Sequence, residues 1–455
     1  MKKTSLIVLL LIVVLVSLSV TGHFIAKNSV VAHLESLASD GIELSSVSEE
    51  SGLATTTAHY ELEIKDPKLF IDYINEELRV GLPYSIQDAL LGFRFACDVE
   101  YPFLLPSTSI KTQSYIVALP KEIEQMLHEK SPEVLASFKQ FLSEKGFLYF
   151  IEYNYLSNSF EGSMKDITSK QTFKDGTQMD FILKGTEFEG KGNLLTPEYM
   201  TGTTDTLSLK LSTQGSVFSF EFKGFESELE YKNRSTYSSE MLIKEFSIDA
   251  TQNYGNNIQA KLENTKFMVS SDTSGEKAEV KFAIAFEKID AVLATMNYGL
   301  KKFSFDIALE KVDKDTLEKL YELVSNGDAQ GMQTQKEIQE TIFELISRGL
   351  ELNIDDFSLQ ELTLESANTM QGFAFSSEMI IQPSAGLNAM NMKQKLEENF
   401  HAVSHFEISK DFLGYLNQKL PMTQMILPYA KEKGDKMLFE IKFEKNKLLV
   451  NDKAI

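Results

Sequence analysis

Two histidines, His401 and His405, stand four residues apart, with Glu397 and Glu398 just before them. On a helix that spacing would put two imidazoles on one face, the beginning of a metal site. The stretch from Ala402 to Ile408 alternates as a strand does, however. A strand holds positions i and i+4 too far apart to share one ion. The residues favour plain surface histidines here, with His59 at the start of another strand and His23 at a membrane edge. Ser274-Gly275-Glu276-Lys277 has the Ser-x-x-Lys spacing of some acyl-transfer enzymes. It follows Ser270-Ser271-Asp272-Thr273 and precedes an alternating strand, which reads as a hairpin turn. Asp313/Asp315 and Asp355-Asp356 are paired acids, but in a chain with 66 Asp and Glu such pairs arise freely as caps and solvated turns. Cys97 lies in the apolar run Phe95 to Val99 and reads as a small core residue. Gly-x-Ser-x-Gly, His-Glu-x-x-His, a dinucleotide-binding Gly-x-Gly-x-x-Gly and a phosphate-loop Gly-Lys-Ser/Thr are all absent from the sequence. No catalytic, cofactor-binding or metal-ligating residue is assigned, and the expectation is a protein that is not an enzyme.

Composition narrows the class further. The chain has 455 residues, 43% hydrophobic and 24% charged, which is globular rather than disordered. Its length asks for two or three domains. A formal charge of −21 repels phosphate backbones, so no nucleic-acid partner is expected. A single cysteine excludes an internal disulfide framework and a cysteine-based zinc or iron–sulfur site. Trp is absent, whereas Phe occurs 32 times.

Two textures must position these residues. The first is period-2 alternation, as in Leu207-Ser208-Leu209-Lys210-Leu211, Phe218-Ser219-Phe220-Glu221-Phe222, Phe282 to Phe286, Phe303 to Leu309 and Phe373 to Phe375. It marks strands with one greasy and one wet face, and therefore antiparallel sheets. The second is short amphipathic helices with readable starts. Asp66-Pro67, Ser131-Pro132, Asp313, Thr334 or a residue upstream of it, and Ser409 open them. Strands run into caps and helices at 60–67, 115–121, 303–314 and 405–410, a recurrence that hints at internal duplication. The fold class is α+β: a predominantly antiparallel β-sheet, curved or extended, with short amphipathic helices, preceded by one N-terminal transmembrane helix. The expected divisions are 1–26, 27–200, 201–330 and 331–455, with the clearest loop at 325–335.

Residues 1–26 supply the transmembrane element. Lys2 and Lys3 precede an unbroken apolar run from Leu6 to Val16, followed by softer residues to Ala26. A cleaved secretory signal and an uncleaved signal-anchor both fit a positive start and an apolar run. Ser19-Val20-Thr21 is a poor cleavage site, which favours the anchor, with the bulk of the chain outside the cytoplasm.

The layout resembles the YdgA-like family of Gram-negative envelope proteins. The resemblance rests on the anchor, on the block from Phe303 to Leu317 followed by Leu345 to Leu359, and on the C-terminal block from Ile408 to Leu416 with Gly434 to Asp452. Asn446 and Asp452 stand where that family has glycines, and both residue types tolerate left-handed turns. The resemblance implies a protein anchored by a single pass in the bacterial inner membrane, with a β-rich periplasmic body and no known enzymatic activity. It carries over no site residue. The leading expectation is a non-enzymatic envelope protein that binds another envelope component through a sheet edge or surface. The alternative is a hydrophobic-ligand or lipid-binding protein with a Phe-lined groove. Phe218, Phe220, Phe222, Phe282, Phe286, Phe303 and Phe305 line either that groove or the core, and Met390, Met392, Met422 and Met425 would suit an adaptable wall. Oligomeric state and strand order are left open.

Overall fold

A computed structural model describes residues 40–455, except 52–54, 79–81, 103–108, 155–156, 174, 193–196, 234, 253–256, 326–331, 365–367, 385, 388–390, 421–426, 445 and 455. The anchor assigned to 1–26, His23, Met390, Met422 and Met425 lie outside the described residues. Among the described residues no helix is long and apolar enough to cross a membrane. The body is mostly antiparallel β-sheet with a few short helices, as the alternation predicts. It forms two compact units, Met1–Gln214 and Gly215–Ile455.

The first unit begins with β1 (Ile42–Ser51), β2 (Thr55–Ile64), β3 (Arg94–Pro102), β4 (Ser109–Ala118) and β5 (Leu148–Asn154), each antiparallel to the next. Next come β6 (Ser159–Met164), β7 (Ile167–Thr172), β8 (Gln178–Lys184), β9 (Thr186–Gly192) and β10 (Pro197–Thr213). β10 pairs with β9 over its first half and with β8 over its second, so β8 and β9 are one strand interrupted at Gly185. Gly185 has a φ of 63°, and a Cβ there would lie 2.2 Å from the Asp205 carboxylate, so the position needs glycine. Its N–H donates to Asp166 Oδ1 at 3.0 Å, at the matching interruption between β6 and β7.

Helices α1 (Pro67–Leu78), α2 (Gln87–Leu90), α3 (Lys121–Lys130) and α4 (Pro132–Ser143) supply the rest of this unit's core. Asp66 caps α1 as predicted: its Oδ1 accepts from the N–H groups of Lys68 and Leu69 at 3.0 and 3.2 Å. That cap aims Phe70, Ile71 and Ile74 onto Tyr60, Leu62, Ile64, Phe95 and Cys97. The Ser131 side chain does not cap α4. The Ser131 carbonyl instead takes the N–H groups of Val134 and Leu135, and Pro132 fixes the entry angle.

The second unit is a meander of long strands: β11 (Ser216–Asn233), β12 (Thr236–Gln252), β13 (Ile258–Asp272), β14 (Lys277–Leu293), β15 (Met296–Asp313), β16 (Leu350–Leu364) and β17 (Asn368–Ile381). Each pairs antiparallel with the next. β18 (Phe400–Ser409) pairs with β17 and β20 (Lys436–Glu444). β19 (Lys431–Lys433) and β21 (Lys447–Val450) share the far edge of β20, and β22 (Lys453–Ala454) pairs with β21. Asn446 and Asp452 adopt φ values of 59° and 66°, the left-handed geometry expected of them.

Helices α5 (Lys314–Ser325) and α6 (Met332–Ser347) cover one end of this sheet. Leu317 and Leu345 bury against Ala278 and Val312. Asp313 caps α5, accepting from the Thr316 N–H at 3.2 Å. After α7 (Met392–Asn399), α8 (Lys410–Lys419) is capped by Ser409 Oγ, which accepts from the Phe412 N–H at 3.1 Å. Leu413 of α8 buries against Ile408, Phe439 and Val450.

Burial differs sharply between the two units. Phe70 is fully buried, whereas Phe218 is 41% exposed. We expect Phe70→Ala to cost about 3–5 kcal/mol, and Phe218→Ala about 0.5 kcal/mol or less, read as shifts of the urea unfolding midpoint. Equal costs would mean that Phe218 is core.

Candidate functional site

The phenylalanine strands acquire their meaning from register. Phe218 pairs with Ala250, Ala250 with Ile258, Ile258 with Leu293 and Leu293 with Met296. One step inward, Phe220, Ile248, Ala260, Ala291 and Tyr298 form a second cross-strand row. A third row runs through Phe222, Phe246, Leu262, Ile289, Leu300, Leu362 and Met370. Residues two apart on paired strands share a face, so these rows form one surface. No member of it is charged.

The opposite face of the same strand halves is ionic. Lys223 lies 3.2 Å from Glu245, Lys261 lies 2.9 Å from both Glu245 and Glu263, and Lys301 lies 2.6 Å from Glu361. The alternation read from the sequence therefore sorts cleanly into an apolar and a charged face.

The rows stop at a seam. Gly224, Lys244, Asn264, Glu287, Lys302, Gln360 and Gly372 lie level with one another and are passed over in the ladder. Gly224, Asn264 and Lys302, on alternate strands, take φ values of 61°, 51° and 50°. A left-handed residue inside a strand re-aims the side chains beyond it. Accordingly the apolar set jumps by three residues across the seam: Phe222 to Phe225, Ile243 to Phe246, Phe286 to Ile289, Leu300 to Phe303.

Helices α5 and α6 pack at the far end of the strands, beyond the seam, on Ala278, Val280, Leu309 and Val312. The seven phenylalanines singled out by alternation are thereby divided. Phe282, Phe286, Phe303 and Phe305 lie on the helix side of the seam, with Phe286 and Phe303 stacked at 4.8 Å. Phe218, Phe220 and Phe222 lie on the other side, in an edge-to-face chain that ends on Phe246 at 4.5 Å. Phe218, Ile258, Leu293 and Met296 are all exposed at 41–48%. From strand spacing and rise the rows span about 25 Å by 15 Å, on the order of 400 Å². A contiguous apolar patch of about that size is often functional on a folded chain, which makes these rows the candidate surface.

Comparison with protein-family models, with curated proteins and with solved structures finds no match to this chain.

The remaining candidates resolve differently. His401 and His405 lie on β18, opposite Ile380 and Ser376, as a strand reading requires. Ser274 and Lys277 flank the β13–β14 turn, where the Ser274 N–H donates to Asp272 Oδ1 at 2.8 Å and Lys277 faces Asp313 at 3.7 Å. Asp355 is the extra residue of a bulge opposite Asp306 and Ile307. Cys97 is fully buried; burial pushes its thiol up to about 12, so it stays protonated at neutral pH. Among the described residues no group of His, Cys, Asp and Glu is placed to hold a metal ion.

The first unit also has a helix-free sheet face. A trough of about 620 Å³ there is lined by Glu100, Glu152, Glu161, Glu187 and Glu189, with Lys111 and Phe150. Its five carboxylates set it apart from an apolar ligand pocket. Beside it lies a cluster that the sequence does not announce. Asp98 Oδ1 is 2.6 Å from His59 Nδ1, and Asp98 Oδ2 accepts from Lys145 Nζ at 2.8 Å. Lys145 also sits over the Tyr115 ring at 4.1 Å. Both nitrogens of His59 face carboxylates, the second being Glu61 at 3.6 Å, so the ring ties the two strands β2 and β3 together. Lys145 lies 47 positions from Asp98, beyond the reach of any local spacing rule.

Burial alone would raise the Asp98 carboxyl, but its bonds to Lys145 and His59 outweigh that and hold it below the usual carboxylate range. A carboxyl lowered on folding stabilises above its unfolded value, near 3.9, and loses that contribution as pH falls through the lower folded value. Asp98→Asn should therefore cost about 1–3 kcal/mol at pH 7. The gap to the unaltered protein should narrow below about pH 4. Urea midpoints across pH check this; a gap independent of pH would show that Asp98 acts by packing.

Proposed function

We propose that this chain is a membrane-anchored protein of the bacterial envelope whose second unit binds an apolar envelope component on the uncovered half of its sheet. The anchor reading of residues 1–26 and the YdgA-like resemblance supply the location: a single pass in the inner membrane, with the body in the periplasm. The observation that carries the binding reading is the set of three uncharged cross-strand rows, aligned in register and lying at the end of the strands away from α5 and α6. A sheet face kept only for stability would be covered by helices or would alternate with charges, as its reverse side does. The role is binding, with a broad hydrophobic surface as the working part.

The test is titration of the full chain in a mild non-ionic detergent with Nile red, an uncharged dye that brightens in apolar surroundings. We expect saturable brightening, weakened about tenfold or more by Ile248→Glu with Ala260→Glu. Phe218→Ser at the exposed rim tests the same surface with little risk to folding. Unchanged dye binding in both variants would overturn this reading of the surface.

A further inference from the structure

The open end of the rows is an uncharged lip. Residues 216–220, 250–252, 257–260 and 291–300 contain no Asp, Glu, Lys or Arg, in a chain that is 24% charged. Pairing brings these stretches to one end of one sheet, where Phe218, Ile258, Leu293 and Met296 are exposed side by side. Resting on the ligand-binding reading above, we infer that the ligand is the acyl chain of a zwitterionic phospholipid, taken from a bilayer at this lip.

Three features select that occupant. A stable protein partner or a second copy needs about 800 Å² per side, roughly twice what the rows offer. Such a partner also needs about one hydrogen bond per 100–200 Å². The rows present only hydrocarbon, thioether and the Tyr298 hydroxyl, and that hydroxyl already meets Met296 Sδ at 3.3 Å. Hydrocarbon is the partner that asks for no polar contact. The third feature concerns the headgroup. The lip offers no cation to an anionic lipid, and the whole chain carries −21. A headgroup without net charge is the one it does not repel.

The test reconstitutes the full chain in phosphatidylcholine vesicles doped with phosphatidylethanolamine that carries a diazirine on the terminal acyl carbon. After illumination, labelled peptides are mapped by mass spectrometry. We expect label on peptides containing 216–222, 246–250 and 258–262, at least fivefold above the level obtained with phosphatidylglycerol bearing the same diazirine. Leu293→Lys, at an exposed position, should lower the phosphatidylethanolamine label several-fold and raise the phosphatidylglycerol label, with the thermal midpoint unchanged. Equal labelling by the two lipids would overturn the headgroup inference. Label confined to residues 1–26 while Nile red still binds the rows would overturn the acyl-chain inference and leave the binding surface standing. Loss of both signals would overturn the surface itself.

Discussion

The register from β11 to β15 is the constraint on which the apolar surface depends. A slip of one residue in any of these pairings would turn a whole strand over and put Lys223 or Lys261 among the phenylalanines. Apolar rows alone specify register weakly when nothing covers them, because an exposed side chain loses little by moving. The charged face supplies what the bare face lacks. Glu245 on the middle strand meets Lys223 on one neighbour and Lys261 on the other, and these two cross-strand pairs form only in the observed alignment. Such pairs are worth little in stability, about 0.2–1 kcal/mol each, but a slip would lose several at once and place like charges together. One face thus holds the other in position.

The seam solves a second problem. Strands of fifteen to eighteen residues twist strongly if left uninterrupted. Left-handed residues at one level on alternate strands break the ladder along a line. Gly224 and Asn264 adopt that geometry readily; Lys302 does so at a cost of about 1–2 kcal/mol. The line also divides the labour. Beyond it, α5 and α6 pack on the far strand ends at Ala278, Val280, Leu309 and Val312, while Phe282 stays 38% exposed. Before it, the apolar rows stay bare. The interruption at Gly185, held by Asp166, shows the same device in the first unit.

Much of this is legible in the residues, and the rest is hidden for definite reasons. Alternation at Phe218–Phe222 and Phe303–Leu309 marks strands, and Asp66, Asp313 and Ser409 mark helix starts, because both signals are local. Ser131 misleads because a helix beginning at proline can be entered through a backbone carbonyl, so its hydroxyl is not needed. The strand reading of His401 and His405 follows from the same alternation. The facing of the phenylalanines cannot be read, since a strand alternating in period two pairs equally well with any neighbour. The seam is hidden too: a jump from Phe222 to Phe225 looks like the end of one strand and the start of another. Asp98, His59 and Lys145 meet only once β2, β3 and the end of α4 are in place.

The acidity of the chain and its bare apolar rows belong together. An exposed hydrophobic surface on a neutral protein invites pairing with its own copies. Here the net charge of −21 makes two copies repel at long range, while a short-range apolar contact with an uncharged partner is unaffected. The charges are kept off the rows and off the lip, and they crowd the reverse face, where they also fix register. On the binding reading proposed above, that arrangement would discriminate by charge without placing a single ionic group in the binding surface. It predicts a narrow choice of partner: something greasy enough to cover the rows, yet not acidic enough to be turned away before it arrives.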